Sequence, residues 1–324
     1  MIQTAASAGR ISRRAAGVLV GPTASGKTDV AHVLARRIAG AIVSADSMLV
    51  YRGMDVGTAK PDARERENLA YHGIDLVEPD RPFSVGDYVR GVRESLAWAG
   101  GEAPLIVAGG TGLYVRCLVE GLDPHPPASP ELRARAAEIL SRDGMGGLQR
   151  WLEQLAPRAL ASLPDPRNPR RLVRAIERAA GATGAAPAPR APAAPPPRVF
   201  AGLLPSPEAL QRRIGARVRR LFEGGLLDEA AALRRRYGGL SATARQAIGY
   251  REAFDCLDGR IGLDEAMEQT VVRTRQLARR QMTWFRRQAR VEWIEWSERE
   301  PSPEDLARRV EEVWERHGPV ELAL

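Results

Sequence analysis

Gly21-Pro22-Thr23-Ala24-Ser25-Gly26-Lys27-Thr28 decides how the rest of the chain is read. It fits the pattern G-x-x-x-x-G-K-[ST] in full. Residues 17–20, just ahead of it, are a short apolar run suited to a buried strand. Residues 29–39, just behind, carry Val30, Val33, Leu34 and Ile38 at helical spacing. Strand, glycine loop and helix together make a phosphate cradle. The glycines let main-chain N–H groups converge on anionic oxygens, and the helix N-terminus adds its dipole. Lys27 is placed to neutralise a terminal phosphate, and the Thr28 hydroxyl to bind Mg²⁺.

Further apolar strand candidates follow at residues 41–45, 74–77, 105–108, 199–204 and 291–296, with helices expected at 85–99 and 112–120. This alternation argues for an α/β core, a parallel sheet with helices on both faces. The pattern changes after Leu122. Residues 123–130 read as a stiff linker, and only helices are expected beyond it, over 131–142, 147–155, 157–163 and 169–180. Asn168 before Pro169 is a good helix start. Residues 185–198 are a Pro/Ala-rich spacer, after which the sheet pattern resumes. The expected organisation is a disordered leader at 1–15 and a core at 16–122 and 199–324. An all-helical module at 123–184 is inserted into that core and rejoins it through the spacer. In the returning part, Leu210, Ile214, Val218 and Leu221 form an apolar stripe beside Arg213, Arg217 and Arg220. A later helix buries Met267, Val271, Thr274, Ala278, Met282 and Phe285.

With 324 residues and 44% apolar content, the chain can bury a sizeable core. Its 48 basic and 40 acidic residues leave a net charge of +8 and a pI near 10.1, compatible with a polyanionic partner. Only two of the basic residues, Lys27 and Lys60, are lysines. A lysine kept against so strong an arginine bias marks a site that needs a compact ammonium, so Lys60 becomes a site candidate beside Lys27. Cys117 and Cys256 form no C-x-x-C pair, which indicates no zinc site and a reducing, cytoplasmic compartment. No run approaches the ~18 apolar residues of a membrane span, and residues 1–15 lack the apolar stretch of a secretory signal.

In a parallel sheet the strand C-termini share an edge with the glycine loop. Of the strand candidates, 41–45 runs into an acid there, Asp46. The strand at 105–108 runs instead into Gly109-Gly110-Thr111-Gly112. Asp46 and Thr111 should therefore both face whatever the cradle holds. Asp46 could be a metal ligand or a general base. The glycines around Thr111 would allow close approach of a ligand.

Beyond the cradle, the chain carries an ordered series of motifs. Ser44-Ala-Asp46-Ser47 is followed by Tyr51-Arg-Gly-Met-Asp55, Gly57-Thr-Ala-Lys-Pro61, His72-Gly-Ile-Asp75, Phe83-Ser-Val-Gly-Asp87-Tyr88 and Gly109-Gly-Thr-Gly-Leu-Tyr114. Asn168-Pro-Arg-Arg-Leu-Val-Arg174, Ile248-Gly-Tyr-Arg-Glu252 and Thr274-Arg-Gln-Leu-Ala-Arg-Arg-Gln281 with Thr283-Trp284-Phe285 complete it. Over residues 17–297 the sequence resembles the tRNA dimethylallyltransferases of bacterial type, the IPP transferase family. The resemblance implies a P-loop NTPase-like three-layer core. It also implies transfer of a dimethylallyl group from its diphosphate to the exocyclic amine of the adenosine beside the tRNA anticodon. Gly21 to Thr28 with Arg217 would then hold the diphosphate, with Arg213 along the same channel. Lys27 and a Thr28-bound Mg²⁺ would stabilise the leaving group. Asp46 would be the base and Thr111 would hold the diphosphate or the amine. Contacts to the anticodon stem-loop would come from Asp46, Ser47, Met48, Leu49, Thr111 and Arg133. Others would come from Arg170, Arg171, Leu172, Val173 and Arg174, and from Gln246, Ala247, Ile248, Gly249, Tyr250 and Arg251. A monomer is expected. The Pro/Ala spacer departs from the family pattern, and the zinc-finger extension of eukaryotic relatives is absent. Prenylation of free adenosine nucleotides, a small-molecule kinase and a non-catalytic RNA-binding module are the competing readings.

Overall fold

The structure is a computed structural model that describes residues 15–100, 103–122, 130–163, 165–181, 198–297 and 299–324. The chain divides into two compact units, Met1–Leu122 with Pro196–Leu324, and Asp123–Pro195. The leader at 1–14, most of the linker at 123–130 and most of the Pro/Ala spacer lie outside the described residues. Ala15, expected in the leader, already belongs to the first strand.

The first unit is built on a seven-stranded sheet. Its strands are β1 (Ala15–Val20), β2 (Ala41–Ser44), β3 (Tyr71–His72), β4 (Leu105–Gly109), β5 (Val199–Pro205), β6 (Arg290–Trp296) and β7 (Val320–Glu321). The order is β3-β2-β4-β1-β5-β6, parallel throughout, with β7 pairing antiparallel to the start of β1. Its helices are α1 (Lys27–Arg37), α2 (Val85–Ala99) and α3 (Gly112–Glu120), then α6 (Pro207–Glu223), α7 (Leu226–Tyr237), α8 (Tyr250–Leu257), α9 (Leu263–Gln288) and α10 (Pro303–His317). In the second unit, α4 is Pro130–Leu155 and α5 is Pro169–Gly181.

Alternation along the strands separates two apolar layers. Leu19, Ile42, Ile106 and Leu203 face α1 and α10, meeting Val30, Leu34, Leu306 and Val310. Val18, Val20, Val43 and Val107 face the other side, over Val115, Leu118, Val218 and Phe285. The tail beyond Trp296 is thus part of the core, since α10 covers one face of the sheet. The second unit has a small core of its own, in which Ala136, Leu148 and Leu152 of α4 meet Leu172, Ala175 and Ile176 of α5. No described helix is long and apolar enough to cross a membrane.

Two local expectations change. Residues 74–77 do not form a strand, because Gly73 and Asp75 take positive φ values of 81° and 52° and break the extended run. The pairing with β2 is made by Tyr71 and His72 instead. Residues 157–163 form turns rather than a helix. Residues 131–142 and 147–155 are two helices as expected, joined end to end at Gly144, whose φ of 63° and ψ of −161° are not helical. The start at Asn168 is as expected, its side-chain oxygen accepting from Arg170 N and Arg171 N.

Lys60 is not at a ligand site. Its side chain is 1% exposed, and Nζ lies 2.6 Å from both Asp55 Oδ1 and Asp75 Oδ1. It also donates to the Tyr51 carbonyl at 2.6 Å. The ammonium ties the loop after β2 to the segment after β3. Removing it would take a 2.6 Å donor from the Tyr51 carbonyl, while Asp55 and Asp75, both partly exposed, could rehydrate. The Lys60→Met variant is therefore expected to lose about 2 kcal/mol of unfolding free energy in urea titration.

Candidate active site

The loop from Gly21 to Lys27 leaves β1 at the C-terminal edge of the sheet. The register pairs Val20 with both Gly109 and Gly202, and Ser44 with Ala108. That register brings the loops after β1, β2 and β4 to one edge. Gly26 caps α1 in the left-handed region at φ 87°, a conformation that costs glycine little. The N–H groups that open α1 have no partner four residues back, so they are available to an anion. Gly21, Pro22 and Ser25 are buried, Thr23 and Ala24 are half-buried, and Thr28 is exposed. Ala24 holds a φ of 65°, and its carbonyl accepts from Arg213 Nε at 2.6 Å.

Lys27 is folded back onto its own loop, donating to the Pro22 carbonyl at 2.6 Å and to Ser25 Oγ at 3.3 Å. Burial lowers its pKa to about 7. Asp46 opposes that shift, while Arg217 and Arg213 reinforce it. The four charges thus share one electrostatic neighbourhood. Burial likewise lowers the Arg217 guanidinium, again against Asp46. Arg217 is fixed by a 2.8 Å bond from Nη2 to the Thr58 carbonyl, and Arg213 also pairs with Glu300.

Asp46 follows β2. Its Oδ1 accepts from Met48 N at 2.9 Å, and Oδ2 has no hydrogen-bond partner among the described residues. One oxygen therefore shapes the turn and the other is open to chemistry. Thr111 caps α3. Its N–H donates to the Ala45 carbonyl at 3.1 Å, and its Oγ1 accepts from Ser47 N at 3.1 Å. Thr111 accordingly braces the turn that carries Asp46, Ser47, Met48 and Leu49, all half-buried. The neighbouring glycines are filled by the protein itself, not held open for a ligand. A Cβ on Gly109 would lie 2.2 Å from the Ala45 carbonyl oxygen, and one on Gly112 would lie 2.1 Å from the Trp284 ring.

The segment from Gln246 to Arg251 is mixed. Gln246 and Arg251 are exposed and Ile248 is half-buried. Ala247, Gly249 and Tyr250 are buried, so the Ala247 and Tyr250 side chains belong to the core and cannot present a surface. The Tyr250 hydroxyl donates to Glu229 Oε1 at 2.5 Å. The same Glu229 carboxylate accepts from the main-chain N–H groups of Asp55, Val56 and Gly57 at 2.9, 2.7 and 3.1 Å. Glu252 in turn accepts from Gly249 N at 3.0 Å and pairs with Arg273 at 2.5 Å.

In the second unit Arg170 and Arg171 are exposed, and Val173 and Arg174 are half-buried. Leu172 is fully buried and packs in that unit's core, so it offers no contact surface. Arg133 and Arg174 converge on Glu177, at 3.0 and 2.9 Å. Burial pushes the Glu177 carboxyl up, but the two arginine hydrogen bonds outweigh it and hold the carboxyl below its usual range. Glu177, Glu229 and Gln281 were not singled out from sequence. An acid within an arginine-rich helix was the available signal for Glu177. Glu229 acts across a long sequence separation and carried none, while Gln281 ends the Thr274 motif, which gave no hint of its partner.

A family model described as IPP transferase matches residues 49–288, and another, described as isopentenyl transferase, matches residues 15–75. A tRNA dimethylallyltransferase of Anaeromyxobacter dehalogenans (strain 2CP-C) is 45% identical over 300 residues, covering 91% of this chain and 98% of the relative. The crystal structure of the full-length tRNA isopentenylpyrophosphate transferase of Bacillus halodurans is similar at 32% identity and a TM-score of 0.64. That similarity covers 94% of this chain and 96% of the other. A eukaryotic dimethylallyltransferase structure acting on tRNA, 22% identical with a TM-score of 0.70 over 86% of this chain and 73% of its own, shares the fold. Matched by that family model over residues 49–288 and by a relative 45% identical over 91% of its length, the chain that carries this glycine loop, carboxylate and α6 arginine pair is a member of the IPP transferase family.

Proposed function

We propose that this chain transfers a dimethylallyl group from dimethylallyl diphosphate to the exocyclic amine of the adenosine beside a tRNA anticodon. The observation that carries the reading is the opposition of Lys27 and Asp46. A cation in an anion cradle faces, within one electrostatic neighbourhood, a carboxylate with one oxygen uncommitted. In the reaction, the amine nitrogen bonds to the allylic carbon as that carbon's bond to the diphosphate oxygen breaks. The electron pair leaves with pyrophosphate, and the nitrogen's proton passes to Asp46 Oδ2. Lys27, the N–H groups opening α1 and Arg217 stabilise the departing negative charge. Thr111 keeps Asp46 aimed through the Ser47 turn.

The residues present fit a bound Mg²⁺ held chiefly by substrate. Thr28 is exposed at the mouth of the cradle, and no cluster of three acid, histidine or cysteine side chains exists among the described residues. The Thr28 hydroxyl would hold the ion together with diphosphate oxygens and water. When bound, the ion would supply further charge neutralisation to the leaving group.

The acceptor base must leave its stack to reach Asp46. Exposed Arg170, Arg171, Gln246 and Arg251 are suited to phosphate and splayed-base contacts. Arg133 and Arg174 would join them by exchanging Glu177 for RNA phosphate. Prenylation of free adenosine nucleotides is the alternative. The arginine-bearing helical unit favours RNA over it. Mass spectrometry of an anticodon stem-loop incubated with donor and Mg²⁺ is expected to show one dimethylallyl group in place of one hydrogen on the target adenosine. Product from AMP but not from RNA would reverse the assignment.

Asp46→Asn keeps the acceptor for Met48 N but removes the base. Turnover should fall about 10²-fold or more, with RNA affinity nearly unchanged. An equal loss of affinity would make Asp46 a binding residue. Lys27 gives a pH signature. Its ammonium is charged below about pH 7 in the free protein and is lost as pH rises through that value, whereas bound diphosphate favours the charged form. Pyrophosphate binding should therefore weaken above pH 7, approaching tenfold per unit for one proton taken up. Titration calorimetry in buffers of differing ionisation enthalpy should register that proton with the native chain and not with Lys27→Met.

A further inference from the structure

Gln281 sits on α9, far in sequence from the cradle, yet its Oε1 accepts from Thr23 N at 2.7 Å. The other end of the same amide presses on the turn after β4. A Cβ on Gly110 would lie 2.4 Å from Gln281 Nε2 and 3.2 Å from the Gly21 carbonyl oxygen. One side chain is thus wedged between the loop carrying Lys27 and the turn carrying Thr111. Three residues along the same helix, the Trp284 ring closes on Gly112. We propose that Gln281 is a positioning residue for the donor site, a strut that sets the posture of the cradle and its spacing from the Thr111 turn.

The residue type suits the task. With Thr23 N committed to Gln281 and Ser25 N to the Pro22 carbonyl, the N–H groups opening α1 are left to receive an anion. A carboxylate at position 281 could accept from Thr23 but would set a negative charge beside a seat for diphosphate. A lysine or arginine could not accept at all. An amide satisfies a main-chain donor without adding charge. A Cβ at Gly110 would lie 2.4 Å from Gln281 Nε2, so a side chain there makes the amide shift.

The proposal rests on the reading of the cradle as the seat of the donor's diphosphate, and binding of inorganic pyrophosphate to the full chain separates the two. No binding by the native chain would count against the seat itself. Given native binding, Gln281→Met is expected to weaken pyrophosphate about tenfold, the loss of roughly one hydrogen bond. It should raise KM for the prenyl donor and leave KM for the anticodon stem-loop unchanged. Gly110→Ala should reproduce the pyrophosphate defect by pushing the amide off Thr23. In a Gln281→Ala background, where the space is vacated, Gly110→Ala should add little. Pyrophosphate affinity unaltered in Gln281→Met, a defect confined to RNA, or full additivity of the Gly110→Ala and Gln281→Ala effects would each overturn the strut. Should Gln281→Met fold poorly, Gly110→Ala with Gln281 intact carries the same test.

Discussion

The N–H groups that open α1 cannot be satisfied inside the helix, and the molecule is arranged around that deficit. The loop ahead of them is pinned from three sides. Gln281 takes Thr23 N, Arg213 takes the Ala24 carbonyl, and Lys27 takes the Pro22 carbonyl. Each bond removes a local polar group from competition for the site and leaves the helix end to an incoming anion. A loop held this way needs little reorganisation when charge develops on a leaving group, which is where preorganised dipoles act most strongly.

Positive charge concentrated near that loop has a cost. The Lys27 ammonium is pulled down by burial and by Arg213 and Arg217 together, and Asp46 is the counter-charge that limits the shift. A diphosphate would do the same more strongly, so the charged state of the site and its occupancy are linked. Elsewhere carboxylates serve as brackets for main chain. Glu229 gathers the N–H groups of Asp55, Val56 and Gly57 with the Tyr250 hydroxyl. Glu252 holds Gly249. In the second unit Glu177 keeps Arg133 and Arg174 together. A poorly exposed acceptor with several donors fixes geometry because losing any one of them leaves an unpaired polar group.

The fold and the centre of the candidate site were legible because they rest on local signals. The glycine loop has its flanking strand and helix side by side in sequence. The apolar runs at 105–108 and 199–204 carry the pattern of doubly buried strands, and Asn168-Pro169 is a helix start in two residues. Misreadings came where a signal had two physical meanings. Scarcity of lysine singled out both Lys27 and Lys60. An ammonium awaiting a ligand and one already paired with Asp55 and Asp75 look alike until the loops are folded. Glycines in the turn after β4 read as room for substrate, but that room belongs to Ala45, Gln281 and Trp284. Leu172 and Tyr250 sit inside motif segments, and Ala247 just ahead of one, yet all three point into cores.

From sequence alone came the glycine loop that opens α1, the α/β layering, the carboxylate at the end of β2 and the arginine-bearing helical segment. Each rests on signals local in sequence, a motif or the alternation of strand and helix runs, where spacing dictates geometry. Tertiary structure decided what holds those parts in register. The strut from Gln281 to Thr23, separated by 258 residues, and the bracket from Glu229 to the Asp55–Gly57 main chain exist only once α9 and α7 have packed. Amide and carboxylate partners carry no periodicity, so their pairing is set by the packed backbone and not by any local pattern.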